Sequence, residues 1–197
     1  MQVIIPHVAD FHPVTAVKNV LIQASLSQLQ NAGFYERYSK LVDPMVLEQL
    51  LSSLGPGWIP IELADAHYAA CERLDLNPDE LEKLGEEVGD RLQNTSLVSA
   101  AKNSRQEDVD VWAVAGSLHR MWARLYQGGS AQLSKAGPNE QLLELRGFKL
   151  TRYLYYRNAS VPAIGAAYLA LGVRLESLTI AKYLSSRDEL TYRLRWT

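Results

Sequence analysis

Five side chains in this sequence have the chemistry of metal ligands or proton carriers: His7, His12, His67, His119 and the lone Cys71. His67 and Cys71 stand four apart on an expected helix, so both could reach one metal ion. Two ligands do not make a zinc site, and no second cluster supplies the rest, so the expectation is a packed pair in a core. His7 and His12 lie in an N-terminal segment expected to fray. His119 sits on the edge of an apolar helical stripe, beside Ala115, Trp122 and Tyr126. A histidine there is commonly a core-edge residue with one hydrogen bond, yet an imidazole in an apolar wall is also what a heme iron requires. No Walker loop, dinucleotide fingerprint, HExxH pair or nucleophile elbow is present, so nothing argues for catalysis.

The remaining charge pattern points to surfaces. Net charge is only −2, with 47% apolar and 21% charged residues, so there is no global pull toward nucleic acid or membrane. Residues 36–110 are acid-rich and residues 146–197 base-rich. The acidic run Asp79–Asp90 reads as a solvated helix face, with a docking face for a basic partner as the alternative. Arg193 and Arg195 alternate with Tyr192 and Trp196 on a C-terminal strand, where protection of a sheet edge is the plainer reading. A single cysteine allows no intramolecular disulfide, and a lone thiol fits a reducing cytoplasm. The N-terminus lacks a signal-peptide pattern, and no apolar run is long enough to span a bilayer.

The elements that would position these residues are mostly helical in the first two thirds. Val17, Val20, Leu21, Ala24 and Leu29 recur at helical spacing up to Gly33. Asp43-Pro44 caps and starts a helix, as does Asn77-Pro78 with Glu80 in a capping box. Trp58 and Ile59 lead into a helix carrying Ala64, Tyr68 and Cys71. A long helix is expected over 107–126, with Leu118, Trp122 and Leu125 in the core, ending at Gly128-Gly129. The period then changes to two. Strands are expected over 130–136 and 140–147, a strand or extended lead-in over 149–155, a helix over 159–171, and a hairpin of 178–184 with 190–196. The fold class is therefore α+β: a helical part, about 14–126, packed against an antiparallel sheet in ββαββ order over about 130–197, all within a single domain.

Several of these segments are familiar. Leu118-His119-Arg120-Met121-Trp122-Ala123-Arg124-Leu125-Tyr126, followed by Gly128-Gly129, resembles the proximal-ligand helix of heme-nitric-oxide-binding (H-NOX) domains. Tyr153-Leu154-Tyr155-Tyr156-Arg157 keeps the tyrosine-to-arginine spacing of that family's propionate clamp, with Tyr155 in the place of its serine. Ile164-Gly165 and the element order to the final hairpin are similar as well. The resemblance covers about the last 80 residues. It implies His119 as axial ligand, with Tyr153 and Arg157 on the propionates if heme binds. Nearly the whole chain resembles a bacterial family of myxobacterial paralogues of unknown function, through Gly33-Phe34-Tyr35-Glu36-Arg37-Tyr38, Trp58-Ile59-Pro60-Ile61-Glu62-Leu63-Ala64 and Tyr126-Gln127-Gly128-Gly129. The reading is a non-catalytic ligand-sensing or protein-interaction and signalling domain, with no resident cofactor and no metal. The alternative is a heme-based gas sensor for NO or O2. Its partner would be a small molecule or a protein, and self-association stays open.

Overall fold

The computed structural model describes residues 1–53, 57–81, 84, 112, 122–170 and 172–197. In chain order these form β1 (Gln2–Ile5), β2 (Ala16–Lys18), α1 (Asn19–Asn31), α2 (Tyr35–Leu41), α3 (Pro44–Ser52), β3 (Trp58–Pro60) and α4 (Ile61–Glu72). Then follow β4 (Tyr126–Gln127), β5 (Ser130–Gly137), β6 (Glu140–Arg146), a 3-10 turn (Lys149–Arg152), α5 (Leu154–Ala170), β7 (Leu175–Leu184) and β8 (Glu189–Trp196). Of the helix expected over 107–126, Trp112 and residues 122–126 are described; Trp112 and residues 122–125 are helical, whereas Tyr126 already belongs to β4. His119, Leu118 and most of the acidic run lie outside the described residues.

The caps behave as their residue types dictate. Asp43 accepts the Met45 and Val46 N–H groups at 2.8 and 3.3 Å, with Pro44 at the first position of α3. Asn77 and Glu80 exchange the two bonds of a capping box, at 2.8 and 3.0 Å. The turn at Gly128-Gly129 needs positive φ, and a Cβ on Gly129 would sit 2.5 Å from the Phe148 ring. Only glycine fits there.

The main sheet is antiparallel in the order β1-β5-β6-β8-β7, and a small sheet pairs β3-β2-β4. The N-terminal segment does not fray as expected. β1 pairs with β5, and His7 just beyond it bonds Ser130 Oγ and Glu144 Oε1, each at 2.9 Å. The N-terminal part is also not wholly helical: β2 and β3 were hidden because three-residue strands carry too few alternations to show a period. The strand or lead-in expected over 149–155 is a 3-10 turn followed by the start of α5, which begins at Leu154 rather than Ala159. Its N-terminus is capped from another element: Glu72 Oε2 of α4 accepts the Tyr155 N–H at 2.8 Å, a carboxylate at the positive end of a helix. No local signal could show that.

On β8, Leu190, Tyr192, Leu194 and Trp196 are buried while Arg193 and Arg195 are exposed, as the alternation requires. Those arginines do not guard an edge, because β8 lies inside the sheet. They pair across to Glu140 of β6, at 3.3 and 3.0 Å. The edge on this side is β7, whose register against β8 shifts twice, and which exposes Thr179, Ile180, Ala181 and Lys182. Leu125, Ile164, Leu194 and Trp196 are buried as expected, whereas Trp122 is half-buried. α5 carries Pro162 within its span and contacts α4, the 3-10 turn and β7. It is the element through which helices and sheet meet.

Candidate functional site

Between α1, α4, α5 and the segment 122–126 lies a cavity of about 70 Å³. α5 supplies Tyr155, Tyr156, Ser160 and Ile164 to its wall, and α1 supplies Ser25. Tyr68 of α4 and the pair Trp122 and Tyr126 complete it. Among the described lining residues none is charged. The hydroxyls of Tyr126 and Tyr156 bond each other at 2.8 Å, and Ser160 Oγ bonds the Tyr192 hydroxyl. Burial pushes the Tyr126 phenol up to about 12, against the hydrogen bond from Tyr156 that lowers it, so these phenols stay neutral. Trp122 stacks on Tyr126 with centroids 5.2 Å apart, and its Nε1–H is buried without an acceptor among the described residues.

Behind the cavity runs a buried chain of hydrogen bonds. Tyr38 Oη lies 2.8 Å from His67 Nδ1, His67 Nε2 2.9 Å from Ser25 Oγ, and Ser25 Oγ 3.1 Å from Tyr155 Oη. Cys71 Sγ stands 3.6 Å from the same Nε2. The chain is self-consistent when Tyr38 donates to the imidazole, the imidazole to Ser25, and Ser25 to Tyr155. Burial alone lowers the His67 pKa from 6.5 to about 3, and burial pushes the Cys71 thiol well up. His67 is thus a neutral hydrogen-bond relay and Cys71 an inert thiol, the packed pair expected from their spacing. Among the described residues, no group of three or more His, Cys, Asp or Glu could hold a metal ion.

Of the residues singled out for a propionate clamp, Tyr153 and Arg157 face protein partners. The Tyr153 hydroxyl donates to Asp65 Oδ1 at 3.0 Å and accepts from Arg152 at 2.8 Å. Arg157 donates to the carbonyls of Thr151 and Arg152, at 2.7 and 3.0 Å, and its guanidinium lies 4.2 Å from the centroid of the Tyr183 ring. Tyr155, in the serine position, points to Ser25. His119 lies outside the described residues. Ser25 and Tyr38 gave no local signal. A compositional one existed: ten tyrosines against three phenylalanines mean that hydroxyls must be accommodated inside.

His7, Ser130 and Glu144 have the residue types of a hydrolytic triad. Ser130 is buried, however, and its Oγ already accepts the Val8 N–H at 2.9 Å. Burial works to raise the Glu144 carboxyl, but His7 and Arg146 outweigh it and hold the group below its ordinary range. The cluster fastens the N-terminal segment to the sheet.

No protein-family profile and no curated protein matches the sequence. Solved structures do. The Fe(II) unliganded H-NOX protein from K. algicida superposes with a TM-score of 0.60 at 8% identity, covering 91% of this chain and 96% of that one. A Tt H-NOX variant gives 0.55 at 10% identity, covering 91% and 94%. A structure from work on heme distortion in the H-NOX family gives 0.52 at 10%, covering 90% and 94%. The chain therefore has the H-NOX fold over nearly its whole length. Among the described residues the cavity is far below the roughly 300 Å³ of ordinary ligand pockets, and Tyr153 and Arg157 have protein partners.

Proposed function

We propose that this chain is a non-catalytic sensor domain of H-NOX fold, a single domain over residues 1–197, whose small ligand lodges in the cavity beside α5. The observation that carries this reading is the cavity itself. It sits where helices and sheet meet, and among the described residues its walls are neutral and no acid–base or nucleophile pair lines it. The antiparallel pairings of β1 with β5 and β2 with β4 tie the N-terminal part to the C-terminal part, which supports one domain. α5 contacts both α4 and the edge strand β7, so occupancy has a path to a signalling surface. A protein partner would read that surface. Among the described residues no helix is long and apolar enough to cross a membrane, and we place the domain in the cytoplasm on its lone cysteine. Kinship with the myxobacterial paralogues rests on the motifs of residues 33–38, 58–64 and 126–129.

The test is a thermal-shift screen of charged and neutral fragments on the full chain. A true ligand at a hundredfold its Kd stabilises by about 2.7 kcal/mol. Ala163→Leu, which fills the cavity, should erase the effect. Stabilisation that survives Ala163→Leu would move the site elsewhere.

A second reading, a heme-based gas sensor with His119 as axial ligand and Tyr153 and Arg157 on the propionates, draws its support from the fold of the heme-associated neighbours. Hemin added to the purified chain should then give a stoichiometric Soret band that His119→Ala abolishes. We expect no such band.

A further inference from the structure

The cavity's walls limit what can enter. Among the described residues no Asp, Glu, Lys or Arg lines it. A charged ligand would lose its hydration there and gain no counter-charge. Most hydroxyls on the wall are already spent. Ser25 Oγ is shared between His67 and Tyr155, Tyr126 and Tyr156 bond each other, and Ser160 bonds Tyr192. The Trp122 indole is different. Its Nε1–H is shielded from solvent and has no acceptor among the described residues, which leaves a donor open to a ligand's oxygen. Around it the wall is aliphatic and aromatic, with Ala163 and Ile164 on the α5 side. The volume, about 70 Å³, is under half of the roughly 150 Å³ that accommodates benzene, so the occupant has few heavy atoms.

From these features we infer that the cavity takes a small uncharged molecule with an alkyl body and one hydrogen-bond acceptor, of the short ketone, ester or alcohol class. Its oxygen accepts the Trp122 Nε1–H, and its alkyl part lies against Ala163 and Ile164. The inference rests on the sensor reading above and names the chemistry of its ligand.

The test follows the indole N–H signals of the four tryptophans in isotope-labelled full-length protein. Trp122→Phe assigns the signal of interest. Methyl ethyl ketone should shift the Trp122 signal saturably, with a Kd on the order of 1 mM given so few ligand atoms. Butyrate and n-butylammonium should leave it unmoved at the same concentrations. Ala163→Leu should weaken the ketone at least about tenfold, the discrimination expected from filling an apolar site. Xenon, which enters apolar cavities without any hydrogen bond, provides a control on wild-type protein that needs no variant to fold. Xenon binding without a ketone-induced Trp122 shift would overturn the ligand class and leave the sensor cavity standing. Failure of both probes would overturn the cavity reading with it. Equal binding of butylammonium and ketone would overturn the requirement for neutrality.

Discussion

Besides the cap that Glu72 gives to α5, helix α4 grips its surroundings at two points only two residues apart, and the two grips differ in kind. Asp65, itself 15% exposed, meets Lys149 and Arg152, at 2.9 and 2.6 Å, and the Tyr153 hydroxyl. Its cationic partners are 39% and 42% exposed. His67 faces inward, is wholly buried, and holds Tyr38 and Ser25 with no formal charge anywhere in the chain. Both fasten α4 to the start of α5, Asp65 through the 3-10 turn and His67 through Ser25 and Tyr155. The outer grip competes with water and is screened by salt. The inner one has no such competitor, and each group orphaned by its loss stays buried. Of these two grips the neutral one should therefore hold the helix more firmly.

That contrast can be broken most forcefully at His67. His67→Ala leaves Tyr38 and Ser25 without their shared partner and opens a void, and should cost on the order of 3–5 kcal/mol in chemical denaturation. A loss below about 1 kcal/mol would mean that the inner chain does not hold the helix.

Acid should have the next largest effect. Folded His67 stays neutral down to about 3, while the same group in the unfolded chain titrates at 6.5. The unfolded state takes up the proton first. The stability contributed by neutral His67 is therefore complete above pH 6.5 and is lost progressively as pH falls toward 3. The slope reaches up to about 1.4 kcal/mol per pH unit. Denaturation curves across that window in wild type and in His67→Gln should diverge. Parallel curves would assign the acid sensitivity to other groups.

Tyr155→Phe removes one hydroxyl from the inner chain while keeping the ring, and should cost about 1–2 kcal/mol. The smallest effect belongs to Asp65→Asn, within about 1 kcal/mol and shrinking further in concentrated salt. A salt-independent loss larger than that of Tyr155→Phe would reverse the ranking of the two grips.

Much of this arrangement was legible in the sequence, and the division has a physical cause. Local signals travelled well. Asp43-Pro44, Asn77 with Glu80, and the buried face Leu190, Tyr192, Leu194 and Trp196 each act over a few residues and appear where expected, although Thr191 on the other face is buried too. The pairing of His67 with Cys71 as core rather than metal ligands followed from the absence of further ligands. Features made by distant residues did not show. Ser25 meets Tyr155 across 130 positions, and Glu72 caps a helix 83 residues away. The strand position of Arg193 and Arg195 was clear, but their partner Glu140 was not, because sheet order is set by topology rather than by either strand alone. The tyrosine-to-arginine spacing of Tyr153 and Arg157 is likewise a local match, and says nothing of Asp65 or the carbonyls that those side chains meet.

The flank of the main sheet beyond β8 bears on how an exposed strand meets a second copy of the chain. β7 leaves its outer backbone groups unpaired among the described strands and shows Ile180 to solvent, the makings of a template on which a second chain could zip. Its two register shifts against β8 interrupt the flat, evenly spaced rail that such growth needs, and Lys182 adds a charge that a stacked copy would have to bury. The irregularity of that strand is thus a safeguard against fibre formation.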